Sequence, residues 1–126
     1  MMTRVLGLIA LGLIGAGCAT GQSYEGERRA ADEVARISGD YRVTAGAPVT
    51  VILRKVGEYE LGLGESSVEV LPGKHQLLVD CRIAETSSVT RLSIEAEVYA
   101  GERYRLVAET GPGLRECASV YLEIVD

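Results

Sequence analysis

Three cysteines, one histidine and a surplus of carboxylates are the side chains of this 126-residue chain that could do chemistry. Cys18 follows directly on Gly15-Ala16-Gly17, whereas Cys81 and Cys117 fall in or beside alternating apolar runs. His75 is the single histidine, so any Ser-His-Asp or Cys-His arrangement would have to use it. It stands two residues after Pro72-Gly73, a tight-turn signal, and its expected role is to pack against that turn or hydrogen-bond it. One histidine is also too few for a transition-metal site of nitrogen and sulfur ligands. Glu95 and Glu97 share one face of an expected strand. They alternate with Ile94, Ala96 and Val98, which is the pattern of a wet face rather than of a paired acid and base. Gly62-Leu63-Gly64-Glu65 lacks the spacing and strand–helix context of a phosphate loop and reads as a turn. The sequence offers no catalytic constellation, no metal site and no cofactor site, and the chain is expected not to be an enzyme.

The elements around these residues read as short strands. Val49, Val51 and Leu53 share a face, and Ser67-Val68-Glu69-Val70 alternates. Leu77, Val79, Cys81 and Ile83 line one side of a run whose other side carries Leu78, Asp80 and Arg82. Leu92 to Val98, Tyr104 to Ala108 and Ala118 to Ile124 repeat the period of two. Gly39-Asp40, Gly57, Pro72-Gly73, Gly101 and Gly111-Pro112-Gly113 punctuate them. With no Phe, no Trp and six Tyr, the core must be aliphatic, and most tyrosines are expected half-buried with the hydroxyl in water. Seven or eight such strands without a long amphipathic helix predict an all-β fold, an antiparallel two-sheet β-sandwich over residues 32–126.

The N-terminus is organised differently. A charged start, Met1 to Arg4, precedes ten apolar residues from Val5 to Ile14. The run is too short to span a bilayer, which takes about 20 apolar residues, and it reads as a secretory signal over residues 1–17. Its small residues ending at Cys18 resemble the lipobox of bacterial lipoproteins, although Gly15 stands where Leu is commonest. The resemblance implies that Cys18 is acylated, palmitate being a typical chain, and becomes the first mature residue. It implies a membrane partner through that covalent lipid. Ala19 in place of Asp implies the outer membrane, in its inner leaflet, with the domain facing the periplasm. The alternative is an ordinary secreted protein with an extra cysteine. Residues 18–31, small, polar and charged, are expected to form a lipidated tether.

If lipid consumes Cys18, two thiols remain in an oxidising compartment, where a disulfide between Cys81 and Cys117 is expected. Two separate buried thiols are the alternative. Strict alternation from Ala118 to Ile124 puts Cys117 on the wrong face, and a bulge there would resolve the conflict.

Two stretches resemble a family of small envelope lipoproteins of uncharacterised function with a PEGA-like β-domain. They are Tyr24-Glu25-Gly26 through Arg36-Ile37, and Val68 to His75, which is similar to a Pro-Gly-x-His hairpin. The strand–turn–strand from Glu95 to Leu106 also fits. The resemblance implies a β-sandwich and no known catalysis.

The formal net charge of −5, without a basic stripe, argues against nucleic acid. The expected function is that of a membrane-anchored periplasmic lipoprotein acting as a non-enzymatic structural or protein-interaction module, with an envelope protein as partner. The alternative is a domain that binds a small ligand or cell-wall fragment.

Overall fold

The computed structural model describes residues 19–44, 47–111 and 116–125. Cys18 and the signal segment lie outside the described residues. The described chain is all-β, with one 3-10 turn at Ala31–Glu33. Its strands are β1 (Ala19–Gln22), β2 (Ala35–Ser38), β3 (Asp40–Thr44), β4 (Ala47–Val56), β5 (Tyr59–Glu60), β6 (Glu65–Val70), β7 (Gly73–Ile83), β8 (Ser88–Val98), β9 (Arg103–Thr110) and β10 (Cys117–Ile124). They make two sheets. The first has the order β1-β6-β2-β9-β10; the second runs β3-β4-β7-β8, with β5 added to β4.

The core lies between the sheets and is aliphatic, as the composition demands. Ile37, Val68, Val70, Leu106 and Val120 enter it from the first sheet. Val51, Leu53, Leu77, Val79, Cys81, Ile83 and Val98 enter it from the second. Each such side chain removed from water contributes about 1.5–3 kcal/mol before entropy is charged against it. The alternating residues from Leu77 to Ile83 are all fully buried, so the period of two identified this face correctly.

The second sheet is antiparallel throughout, but the first is mixed: β1 pairs β6 in parallel, and β2 pairs β9 in parallel. The expectation of a purely antiparallel sandwich is corrected there. Parallel neighbours need a crossover connection, and here the path through the second sheet supplies it. The Pro72-Gly73 turn is likewise no hairpin. β6 belongs to the first sheet and β7 to the second, so the turn carries the chain from one to the other. Gly73 holds a φ of 129°, which L side chains rarely adopt. The same change of sheet separates β8 from β9.

Gly39 is the corner between β2 and β3. A Cβ there would overlap the carbonyl oxygen of Val51, so only glycine lets the two sheets approach at that point.

Of residues 18–31, expected as a tether, residues 19–24 instead lie against the domain, and residues 25–31 are exposed. Ala19–Gln22 is the edge strand β1, in register with Glu65 to Glu69. Tyr24 is buried, its hydroxyl accepting the Arg29 N–H at 2.9 Å, and Arg28 donates to Glu69 at 2.7 Å.

Cys81 on β7 and Cys117 on β10 are joined by a disulfide, with Cα atoms 6.3 Å apart. The bond staples one sheet to the other. A bulge between Cys117 and Ser119 turns Cys117 inward together with Val120. It leaves Ala118 exposed, contrary to strict alternation.

Candidate functional site

The outward face of the first sheet is polar, and its register can be followed across the strands. At one level Thr20 on β1 pairs Ser67 on β6, which pairs Ser38 on β2, which pairs Arg105 on β9. At the next level Gln22 pairs Glu69, Glu69 pairs Arg36, and Arg36 pairs Arg103. A cleft of about 310 Å³ lies over these rows, lined by Thr20, Arg36, Ser38, Ser66, Ser67 and Arg103 among others.

The electrostatics of the cleft are uneven. Two guanidinium groups sit on directly paired positions of adjacent strands, an arrangement that like charges destabilise. Among the described residues neither has a carboxylate partner. Arg36 donates to the Thr20 hydroxyl, and that hydroxyl lies 3.0 Å from Ser67 Oγ. Glu69, the carboxylate facing Arg36 across the strands, is held by Arg28 and by the Tyr24 hydroxyl. Arg105, by contrast, pairs Glu123 at 3.3 Å. Two unneutralised arginines beside four hydroxyls can receive an anionic group, since the planar fork of arginine matches carboxylate and phosphate.

The opposite face of the molecule carries a cluster in which two arginines share one carboxylate. Asp80 points outward from β7, yet its side chain is only 6% exposed. Arg91, directly across on β8, grips both oxygens: Nε donates to Oδ1 at 2.8 Å and Nη2 to Oδ2 at 3.0 Å. Arg54 Nε donates to Oδ2 at 2.8 Å. Arg54, the extra residue of a bulge in β4, follows the inward-facing Leu53 and so lies on the same outward face as Asp80. The hydrogen bonds from Arg91 hold the Asp80 carboxyl at about 2, against the upward push of burial, with Arg54 adding to the lowering. Two arginines share one aspartate, so the carboxylate oxygens of Asp80 are satisfied.

A third polar group braces a turn. The Tyr59 hydroxyl donates to Glu65 Oε1 at 2.7 Å, and the Gly62 N–H donates to the same oxygen at 2.8 Å. The Gly62 bond is the main reason the Glu65 carboxyl is held below its ordinary range; the hydrogen bond to Glu65 pushes the Tyr59 hydroxyl up.

The residues singled out in the sequence distribute as follows. Cys81 and Cys117 meet. His75 Nε2 lies 2.6 Å from the Leu71 carbonyl oxygen, which can only accept, so Nε2 carries the proton and the ring ties down the inter-sheet turn. Glu95 and Glu97 stand exposed on β8, as a wet face requires. The tyrosines depart from expectation: Tyr24 and Tyr104 are buried, and their hydroxyls accept backbone N–H groups rather than meeting water. Arg36, Arg103 and Asp80 were not singled out. A lone charge in an alternating strand looks solvated, and only the register shows what stands beside it. Among the described residues no three His, Cys, Asp or Glu side chains gather as metal ligands would. No family model, no curated protein and no solved structure matches the chain.

Proposed function

We propose that the chain is the precursor of a lipid-anchored envelope protein, held through Cys18 in the inner leaflet of the outer membrane, whose domain is a non-enzymatic interaction module. The anchor rests on the sequence up to Cys18. The interaction rests on one observation, the paired Arg36 and Arg103 without carboxylate partners beside the hydroxyls of Thr20, Ser38, Ser66 and Ser67. An acidic side chain of a partner protein would relieve the repulsion between the two arginines and gain charge-assisted hydrogen bonds. Thr20, at one edge of the cleft, is two residues from Cys18.

The cleft is open to solvent and carries hydroxyl and guanidinium groups, which suits a protruding side chain of a macromolecule better than engulfing a small apolar ligand. Its hydroxyls and arginines support a second reading, in which the acidic group belongs to a cell-wall peptide.

A photo-crosslinking residue at Ser66, in the wall of the cleft, tests the proposal in intact cells. The expected result is a discrete protein adduct that disappears in the Arg36→Glu, Arg103→Glu double variant. Adducts of cell-wall fragments alone would favour the second reading. An adduct pattern unchanged by the double substitution would remove the cleft from the account.

A further inference from the structure

Leu63 is the most exposed large apolar residue among those described, at 105% of its reference surface. Its neighbour Leu61 packs against the core, so the turn between them separates one partly buried leucine from one fully presented leucine.

The turn that presents it is fixed rather than slack. Leu61 N–H donates to the Arg54 carbonyl at 3.0 Å, and Glu65 N–H donates to the Gly62 carbonyl at 3.1 Å. The Glu65 carboxylate accepts from Gly62 and Tyr59, as described above. Gly64, at a φ of 83°, completes the reversal. These bonds hold Leu63 outward on a short, braced tip.

What lies beside that tip is the start of β1. The Ala19 N–H donates to the Gly64 carbonyl at 2.8 Å, and Ala19 is in register with Glu65. Only one peptide bond separates Ala19 from Cys18, and consecutive Cα atoms are about 3.8 Å apart. With β1 docked in the sheet, no slack remains between the anchored residue and the turn. Acyl chains on Cys18 would therefore set the depth of the Gly62–Gly64 turn as well as their own.

We infer that Leu63 sits in the interfacial region of the same membrane that receives the Cys18 acyl chains, a second, non-covalent contact that fixes the orientation of the domain. The occupant of this surface is the lipid bilayer. The inference rests on the lipid-anchor reading and adds to it the residue that touches lipid and the end of the domain that faces it. The opposite end, where β6 and β8 finish and Tyr99 is exposed, points away. Along β6 alone the two ends are separated by about 17 Å.

The absence of Trp from the chain makes the test clean. Leu63→Trp and, separately, Tyr99→Trp are made in the full chain and exported with its own signal. Each protein is purified from membranes and reconstituted into phosphatidylethanolamine–phosphatidylglycerol vesicles with or without brominated acyl chains. Both substitutions fall on exposed side chains, and a thermal melt matching the parent protein shows that the fold is kept. Mass spectrometry of the N-terminal peptide is read first. An acylated preparation should show emission from the Leu63→Trp variant shifted to the blue and quenched by brominated lipid several-fold more than that of the Tyr99→Trp variant. Equal quenching of the two in acylated protein would overturn the membrane contact and leave the anchor standing. Absence of acyl chains on Cys18 would overturn the anchor and the contact together.

Discussion

Asp80 shows how much one side chain can depend on its neighbours. An aspartate in the middle of Leu77 to Ile83 faces outward by periodicity, and an isolated one would stay hydrated. Here the bidentate bond from Arg91 and the second arginine from the β4 bulge bury it instead. A carboxyl whose folded-state pKa is depressed stabilises the fold above its unfolded-state value, and the contribution fades as pH falls through the folded value. For Asp80 that window runs from the ordinary 3.8 down to about 2. Each tenfold change in proton affinity corresponds to about 1.4 kcal/mol, and screening at the half-exposed arginines reduces the total. Asp80→Asn should therefore lower unfolding free energy by about 1–2 kcal/mol at neutral pH. Urea melts over an acid series should show the gap to the parent closing as pH approaches 2. A gap that stays constant with pH would mean that the charge of Asp80 contributes nothing.

Among the elements, β10 and its staple matter most. The disulfide closes a loop of sequence separation 36 and joins strands from different sheets. In the chain-entropy model such a loop is worth about 4 kcal/mol. A Cys81→Ala, Cys117→Ala double variant should lose stability of that order in chemical denaturation, and reduction of the parent should do the same. A loss below about 1 kcal/mol would show that the aliphatic core suffices without the staple. The pairing was legible in the sequence once Cys18 was set aside, and so was the bulge at Cys117, because alternation from Ala118 onward clashed with it. Other elements were not legible. Ala19–Gln22 has no apolar alternation; it is a strand by its pairing with β6, and Gly21 lies close to the Tyr59 hydroxyl and the Glu65 carboxylate. Pro72-Gly73 signals a reversal, but the residues of a turn do not say whether the next strand pairs with the last one or crosses to the other sheet. The paired arginines were invisible for the same reason, since the β2–β9 contact joins residues far apart in sequence. Periodicity reports which face is buried, not which strand lies alongside.

At the scale of the whole molecule, the docking of β1 changes what anchoring would mean. A free tether would let the domain swing at a distance from the membrane. A first strand beginning at Ala19 would hold the domain against it, with the Leu63 turn at the anchored end and the Arg36–Arg103 pair toward the other end of β6. Two or three acyl chains, at roughly 0.8 kcal/mol per buried methylene, would make that placement stable. That placement depends on the chemical state of Cys18. The most direct measurement is the intact mass and fragment sequence of the N-terminal peptide of the protein isolated from its native envelope. The expected result is a mature chain that begins at Cys18 and carries a diacylglyceryl group on its thiol. A mature chain that begins elsewhere, or begins at Cys18 with an unmodified thiol, would contradict it.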